Sequence, residues 1–176
     1  MSTRPIPLSY VILAAIGEGG ASTPELVDMA SRGTMFWTSS PSQIYAEPGR
    51  LLALGWVTSE KQPAKTRNRT VYSLTPEGRK ALREWLRSPA GFPKLQHEAS
   101  MRLFAGDMLG DEGILASLQQ LRADIAEMSA LVEANIARAP SLPHRTRYLL
   151  LQQDLGRRLL KAHADWLDTV ERELGH

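Results

Sequence analysis

The chain of 176 residues contains no cysteine, which excludes disulfides, thiolate zinc sites and cysteine nucleophiles. No run reaches the about eighteen consecutive apolar residues that a membrane-spanning helix needs. The opening residues 1–5 are not followed by a short apolar stretch with a small-residue cleavage site, so no signal peptide and a cytoplasmic location are expected. Histidines number only four, His97, His144, His163 and His176. His97-Glu98 lacks a second histidine at helical zinc spacing, so no metal site is expected. The glycines fall at the ends of apolar-periodic segments rather than in a phosphate-binding loop, a nucleophile elbow or a dinucleotide fingerprint. Neither an enzyme nor a cofactor is expected. Net charge is also small, +2 overall, but unevenly spread. Residues 1–94 hold 12 Lys/Arg against 7 Asp/Glu, a balance of +5, whereas 95–176 hold 9 against 12, a balance of −3. A basic end of this kind is what a polyanion would meet.

What is present is a core-forming 43% of hydrophobic residues and a clear order of elements. Apolar spacing at Ile12, Leu13 and Ile16 predicts a first helix over 8–17, stopped by Gly17-Glu18-Gly19-Gly20. Thr23-Pro24-Glu25 opens a second, with Thr23 as cap and Leu26, Val27, Met29 and Ala30 on its buried side. Phe36 and Trp37 are expected to anchor the following loop. Ser39-Ser40-Pro41-Ser42-Gln43-Ile44-Tyr45 then reads as a capped helix. Pro41 suits the first helical position, and Ser40 and Gln43 form a capping box. A basic hairpin follows, with strands over 56–61 and 70–74. Thr75-Pro76-Glu77 starts a fourth helix with apolar positions Ala81, Leu82, Trp85 and Leu86. The order helix, helix, helix, strand, strand, helix is that of a winged helix-turn-helix, with a two-stranded wing, over 1–88.

Ser88-Pro89-Ala90-Gly91-Phe92-Pro93 reads as a linker. A helical domain over 94–176 follows, giving a mainly α fold. One helix is predicted over 95–109, and Asp111 is expected to cap the next. There Ile114, Leu118, Leu121, Ile125, Met128 and Val132 alternate spacings of four and three, the seam of a coiled coil. A last helix over 145–174 carries a stripe of Tyr148, Leu151, Leu155, Leu159, Ala162, Trp166 and Val170. Two long amphipathic helices with few internal partners lead to the expectation of a homodimer. The seam residues together with Leu155 and Leu159 are its candidate contacts.

The pattern of Ser40-Pro41 with Ile44-Tyr45, then Arg50-Leu51 and Gly55-Trp56-Val57, resembles the PadR family of transcriptional regulators. So does the hairpin ending Val71-Tyr72-Ser73-Leu74-Thr75-Pro76-Glu77-Gly78-Arg79, continued by Ala81-Leu82 and Trp85-Leu86. Met101-Arg102-Leu103-Phe104 with Asp107, and Trp166-Leu167, are similar to the helical dimerisation domain of its long members. The resemblance implies a dimer that represses transcription, with small aromatic or phenolic effectors in some members. Two departures stand out. Ser22-Thr23-Pro24 replaces a common His-Gly-Tyr, and Ala46 stands where proline usually follows Ile-Tyr. Here Pro48-Gly49 comes two residues later, which predicts a recognition helix kinked or broken near Glu47.

The candidate DNA contacts are Ser40, Ser42, Gln43, Tyr45 and Arg50 on the helix, and Lys61, Lys65, Arg67, Asn68, Arg69 and Tyr72 on the hairpin. Four cations in the nine residues 61–69, without one acid, favour phosphate or minor-groove contact. The partner is then double-stranded DNA with a pseudo-palindromic operator, each protomer reading one half. An effector pocket is expected where the domains join, from His97, Arg102, Phe104, Tyr148, His163 and Trp166. These residues mix aromatic surface with groups that pair with a phenol or carboxylate. The competing class is a protein–protein adaptor with a degenerate winged helix, favoured by Pro48-Gly49.

Overall fold

The computed structural model describes residues 5–63 and 69–175. The chain divides into two compact units, one reaching Phe92 and the other beginning at Pro93. In the first, α1 (Pro7–Ile16), β1 (Ala21–Ser22), α2 (Thr23–Arg32), α3 (Pro41–Ala53), β2 (Val57–Gln62), β3 (Arg69–Leu74) and α4 (Pro76–Arg87) follow in order. Leu8, Ile12, Leu13 and Ile16 of α1 join Leu26, Ile44, Leu51, Val57 and Leu74 in one core. Burying each such aliphatic side chain contributes about 1.5–3 kcal/mol, and α4 adds the partly buried Leu82 to that core. That last helix docks through aromatic stacking, Trp85 lying parallel to Tyr10 at 5.1 Å.

The wing is larger than the expected two strands. The sheet is antiparallel in the order β1-β3-β2, with Ala21 opposite Tyr72 and Val57 opposite Leu74. A two-residue strand has no periodicity to show in sequence, so β1 was invisible there. Gly20 makes the pairing possible. Its φ is +75°, and a Cβ there would lie 3.0 Å from the Tyr72 carbonyl. β1 also moves the cap of α2 from Thr23 to Ser22, whose backbone N–H donates to Glu25 at 2.7 Å. Phe36 is half-buried, but Trp37 is 39% exposed and donates its indole N–H to Ser39 Oγ, so it is no core anchor.

α3 runs without a break through Pro48-Gly49 to Ala53, contrary to the break predicted from the proline. Pro48 lacks an N–H for the Ile44 carbonyl, but its ring is fully buried on the same face as Ile44, Glu47 and Leu51. Tertiary burial offsets the local cost. A polar clamp adds to it. Ser9 Oγ donates to buried Glu47 at 2.5 Å, Arg50 bonds the other carboxylate oxygen at 2.8 Å, and the Ile6 N–H donates to Ser9 Oγ at 3.1 Å. The clamp ties α1 to the middle of α3.

In the second unit the helix expected over 95–109 is shorter. α5 is Glu98–Phe104, followed by a single 3₁₀ turn over Gly106–Met108. His97 caps it, its Nδ1 accepting the Ser100 N–H at 3.0 Å. Gly110, not Asp111, occupies the cap position of α6 (Asp111–Arg138), and a 3₁₀ turn over Ala139–Ser141 leads to α7 (Thr146–Leu174). Helices α6 and α7 run antiparallel. Arg122 bonds Asp168 and Glu171 towards one end, and Arg157 bonds Glu133 towards the other.

This pairing corrects the seam assignment. Ile114, Leu118 and Val132 are buried inside the chain, and Leu121 and Ile125 pack against the cluster of Ile114, Leu118, Leu167 and Val170. The seam that a 3,4 spacing creates is filled by the next helix of the same chain, the shortest connection available. On α7 the buried residues are Gln153, Gly156, Leu167 and Val170. The other part of the expected stripe stays outside, with Tyr148 70%, Leu151 60% and Leu155 50% exposed, and Leu159 half-buried.

Candidate nucleic-acid interface

α3 separates its residues cleanly by face. Ile44, Glu47, Pro48 and Leu51 turn inward, while Ser40, Ser42, Gln43 and Tyr45 are exposed, Tyr45 by 58%. The period is helical, so one face supplies the core and the other a row of polar groups at the surface. The capping box forms as expected. Gln43 N–H donates to Ser40 Oγ at 3.3 Å, and Gln43 Oε1 accepts from the Ser40 N–H at 3.0 Å and its hydroxyl at 3.2 Å. Gln43 Oε1 is therefore occupied, which leaves its amide nitrogen as the outward-facing donor. Ser42 Oγ lies 2.9 Å from Ser40 Oγ. Arg50 sits apart from these residues, in the ion pair with buried Glu47.

The hairpin carries exposed Lys61 opposite Thr70, and Arg69 opposite Gln62. Arg69 reaches back to Glu25 on α2 at 3.3 Å, both side chains about half exposed. Glu25 is thus shared, one oxygen taking the Ser22 hydroxyl and amide and the other the Arg69 guanidinium. The Ser22 bonds, with a smaller contribution from Arg69, hold the Glu25 carboxyl below its ordinary value. The carboxylate therefore links the start of α2 to the base of the wing. Tyr72 packs partly buried against the core rather than standing outward. Lys65, Arg67 and Asn68 lie outside the described residues.

Three of the six effector candidates meet, and all three belong to the second unit. His97 and His163 stack at 4.9 Å, and Trp166 meets His97 edge-on at 5.4 Å. They line a cleft of about 860 Å³ with Leu95, Gln96, Glu98 and Met101. Phe104 is 86% exposed, Tyr148 lies on the outer face of α7, and exposed Arg102 is tied to Glu98 at 2.5 Å. Gln96, Glu98 and Met101 were missed in the sequence. Their spacing around His97 was the available signal, but nothing in sequence placed α5 beside His163. Among the described residues no cluster of three or more metal-ligating side chains occurs, and no helix is long and apolar enough to cross a membrane.

The sequence model of the transcriptional regulator PadR-like family matches residues 12–84, and that of the virulence activator alpha C-terminal domain matches 95–175. The chain is 26% identical over 179 residues to the negative transcriptional regulator PadR of Bacillus subtilis (strain 168), covering 93% of this chain and 94% of that protein. The crystal structure of that PadR with operator DNA superposes with a TM-score of 0.77 at 23% identity, over 97% of this chain and 99% of the other. Its structure with p-coumaric acid gives 0.71 at 23% identity, over 96% and 99%. The Vibrio cholerae virulence activator AphA gives 0.71 at 26% identity, over 96% of this chain and 98% of that one. The winged-helix order, the helical second unit and these two adjoining matches agree, and the chain belongs to the PadR-like family of transcriptional regulators.

Proposed function

We propose that the protein is a homodimeric, sequence-specific DNA-binding repressor of the cytoplasm that acts by binding rather than catalysis and is released by a small aromatic effector. The single observation carrying the DNA reading is the two-faced α3. Its inward face is anchored through Ile44, Leu51 and the Ser9–Glu47 clamp, which leaves Ser42, Gln43 and Tyr45 presented on a rigid element. A recognition helix needs that rigidity to hold side chains in register with base edges. With its Oε1 in the cap, Gln43 acts as a donor, suited to acceptor-bearing purine edges in the major groove. Lys61, Lys65, Arg67 and Arg69, with Asn68 among them in sequence, supply the phosphate contacts. The adaptor alternative rested on a broken α3 and loses its support with the helix intact.

The exposed stripe Tyr148, Leu151 and Leu155 supports the dimer, because an apolar row on a long helix is stable when a second copy covers it. The name of the Bacillus subtilis relative supports repression, and its complexes with operator DNA and p-coumaric acid support the operator and the effector class.

Selection from a random oligonucleotide pool by the purified protein tests the reading, and an enriched inverted repeat is expected. On that repeat, replacing Lys61 and Arg69 by alanine should lower the slope of log affinity against log salt by about 0.9 for each lost phosphate contact. Light scattering should give the mass of two chains, reduced to one by Leu155→Glu. A pool without enrichment, or a concentration-independent monomer in the unaltered protein, would overturn the proposal.

A further inference from the structure

The effector cleft of the second unit has a definite donor and acceptor pattern. His97 Nδ1 accepts the Ser100 N–H, so the neutral ring carries its proton on Nε2. His163 Nδ1 lies 2.7 Å from the Leu159 carbonyl, which only accepts, so that ring carries its proton on Nδ1 and keeps a lone pair on Nε2. Among the described residues neither Nε2 has a hydrogen-bond partner. The two stacked rings therefore carry one donor and one acceptor on the lining of the cleft, with Trp166 and Met101 supplying apolar surface.

Charge is as informative. Among the described residues that line the cleft there is no lysine or arginine, and the one formal charge is the carboxylate of Glu98. The arginine of the same helix, Arg102, is spent on that carboxylate, with bonds of 2.5 and 3.1 Å. A ligand carboxylate entering here would find a single donor, face the lone pair of His163 and meet a Glu98 whose one cation, Arg102, is already engaged. The ligand's charge would give up part of its hydration in exchange for one hydrogen bond. A hydroxyl on an aromatic ring is different, because it both accepts and donates, which matches one Nε2–H on His97 and one Nε2 lone pair on His163.

Resting on the effector reading above, we infer that this cleft selects an uncharged hydroxylated aromatic ring, a phenol without a carboxylate, its hydroxyl shared between His97 and His163. This ligand class differs from the p-coumaric acid of the Bacillus subtilis complex, and the difference follows from the residues this chain places around the cleft.

The test is calorimetric titration of the full-length protein, at about pH 7.5, with para-ethylphenol, para-hydroxyphenylacetate and para-ethylanisole. The phenol should bind about tenfold or more tightly than either of the others, the anisole having lost its donor and the acetate carrying the charge. His163→Phe keeps a stacking ring without the acceptor and should erase the preference for phenol over anisole. Met101→Arg, at an exposed position, should raise affinity for the acetate about tenfold. Equal or tighter binding of the acetate to the unaltered protein, with release of the operator, would overturn this inference and leave the aromatic-effector reading standing. Binding of none of the three, with the operator still held, would remove that reading and this inference with it.

Discussion

Ser9→Ala tests the clamp on which the rigidity of α3 depends. Ser9 is fully buried and makes two links, donating to Glu47 and accepting from the Ile6 amide. A hydrogen bond to a charged acceptor contributes about 1.5–3 kcal/mol, and alanine leaves the buried carboxylate with one donor fewer. Arg50 still holds one oxygen of Glu47, so the pair survives and the loss stays near that range. The expected cost is about 2–3 kcal/mol, a fall of about 10–20 °C in the transition of the first unit, read by scanning calorimetry of the full chain. A double-mutant cycle isolates the cause. In a Glu47→Leu background no buried charge remains to be satisfied, and Ser9→Ala should then cost about 1 kcal/mol or less. The same cost in both backgrounds, or a cost under about 0.5 kcal/mol in the unaltered chain, would refute the clamp.

Gly78→Ala should destabilise the first unit by about 2 kcal/mol or more, measured by urea titration, because the added Cβ would lie within bonding range of the Trp56 carbonyl oxygen, a backbone atom with no room to yield. The stability that the Glu25 carboxylate contributes should be fully present above its ordinary value of 4.5 and be lost as the pH falls through the depressed folded value. The difference in Tm between the unaltered protein and Glu25→Gln should therefore be constant from about pH 6 to 8 and shrink below about pH 4.5; a difference that grows on acidification would contradict the assignment.

The elements that could be read along the chain were those whose cause is local. Ser40-Pro41 with Gln43, and Thr75-Pro76, announce helix starts because a cap and a proline satisfy or remove amides within a few residues. The outward polar face of α3 was legible for the same reason, since a helical period assigns its own inside and outside. Elsewhere local rules were overridden. Pro48 should break a helix by its own chemistry, and it does not, because burial beside Ile44 and Leu51 and the bond from Ser9 to Glu47, 38 residues apart, hold the backbone. The seam of α6 announced a partner helix, but periodicity carries no label saying whose helix fills it. The answer, α7 of the same chain, left Tyr148, Leu151 and Leu155 on the outside instead.

By itself, then, the sequence determined the order of the longer helices and the hairpin, the polar outer face of α3 and the basic composition of residues 61–69, because each depends on spacing and charge within one segment. Only the tertiary structure decided that α3 stays whole, that Arg50 turns inward and Arg69 meets Glu25, and that His97 stacks on His163. Those outcomes depend on groups far apart in sequence arriving at one place, where burial and pairing energies of a few kcal/mol outweigh the propensity of any single residue.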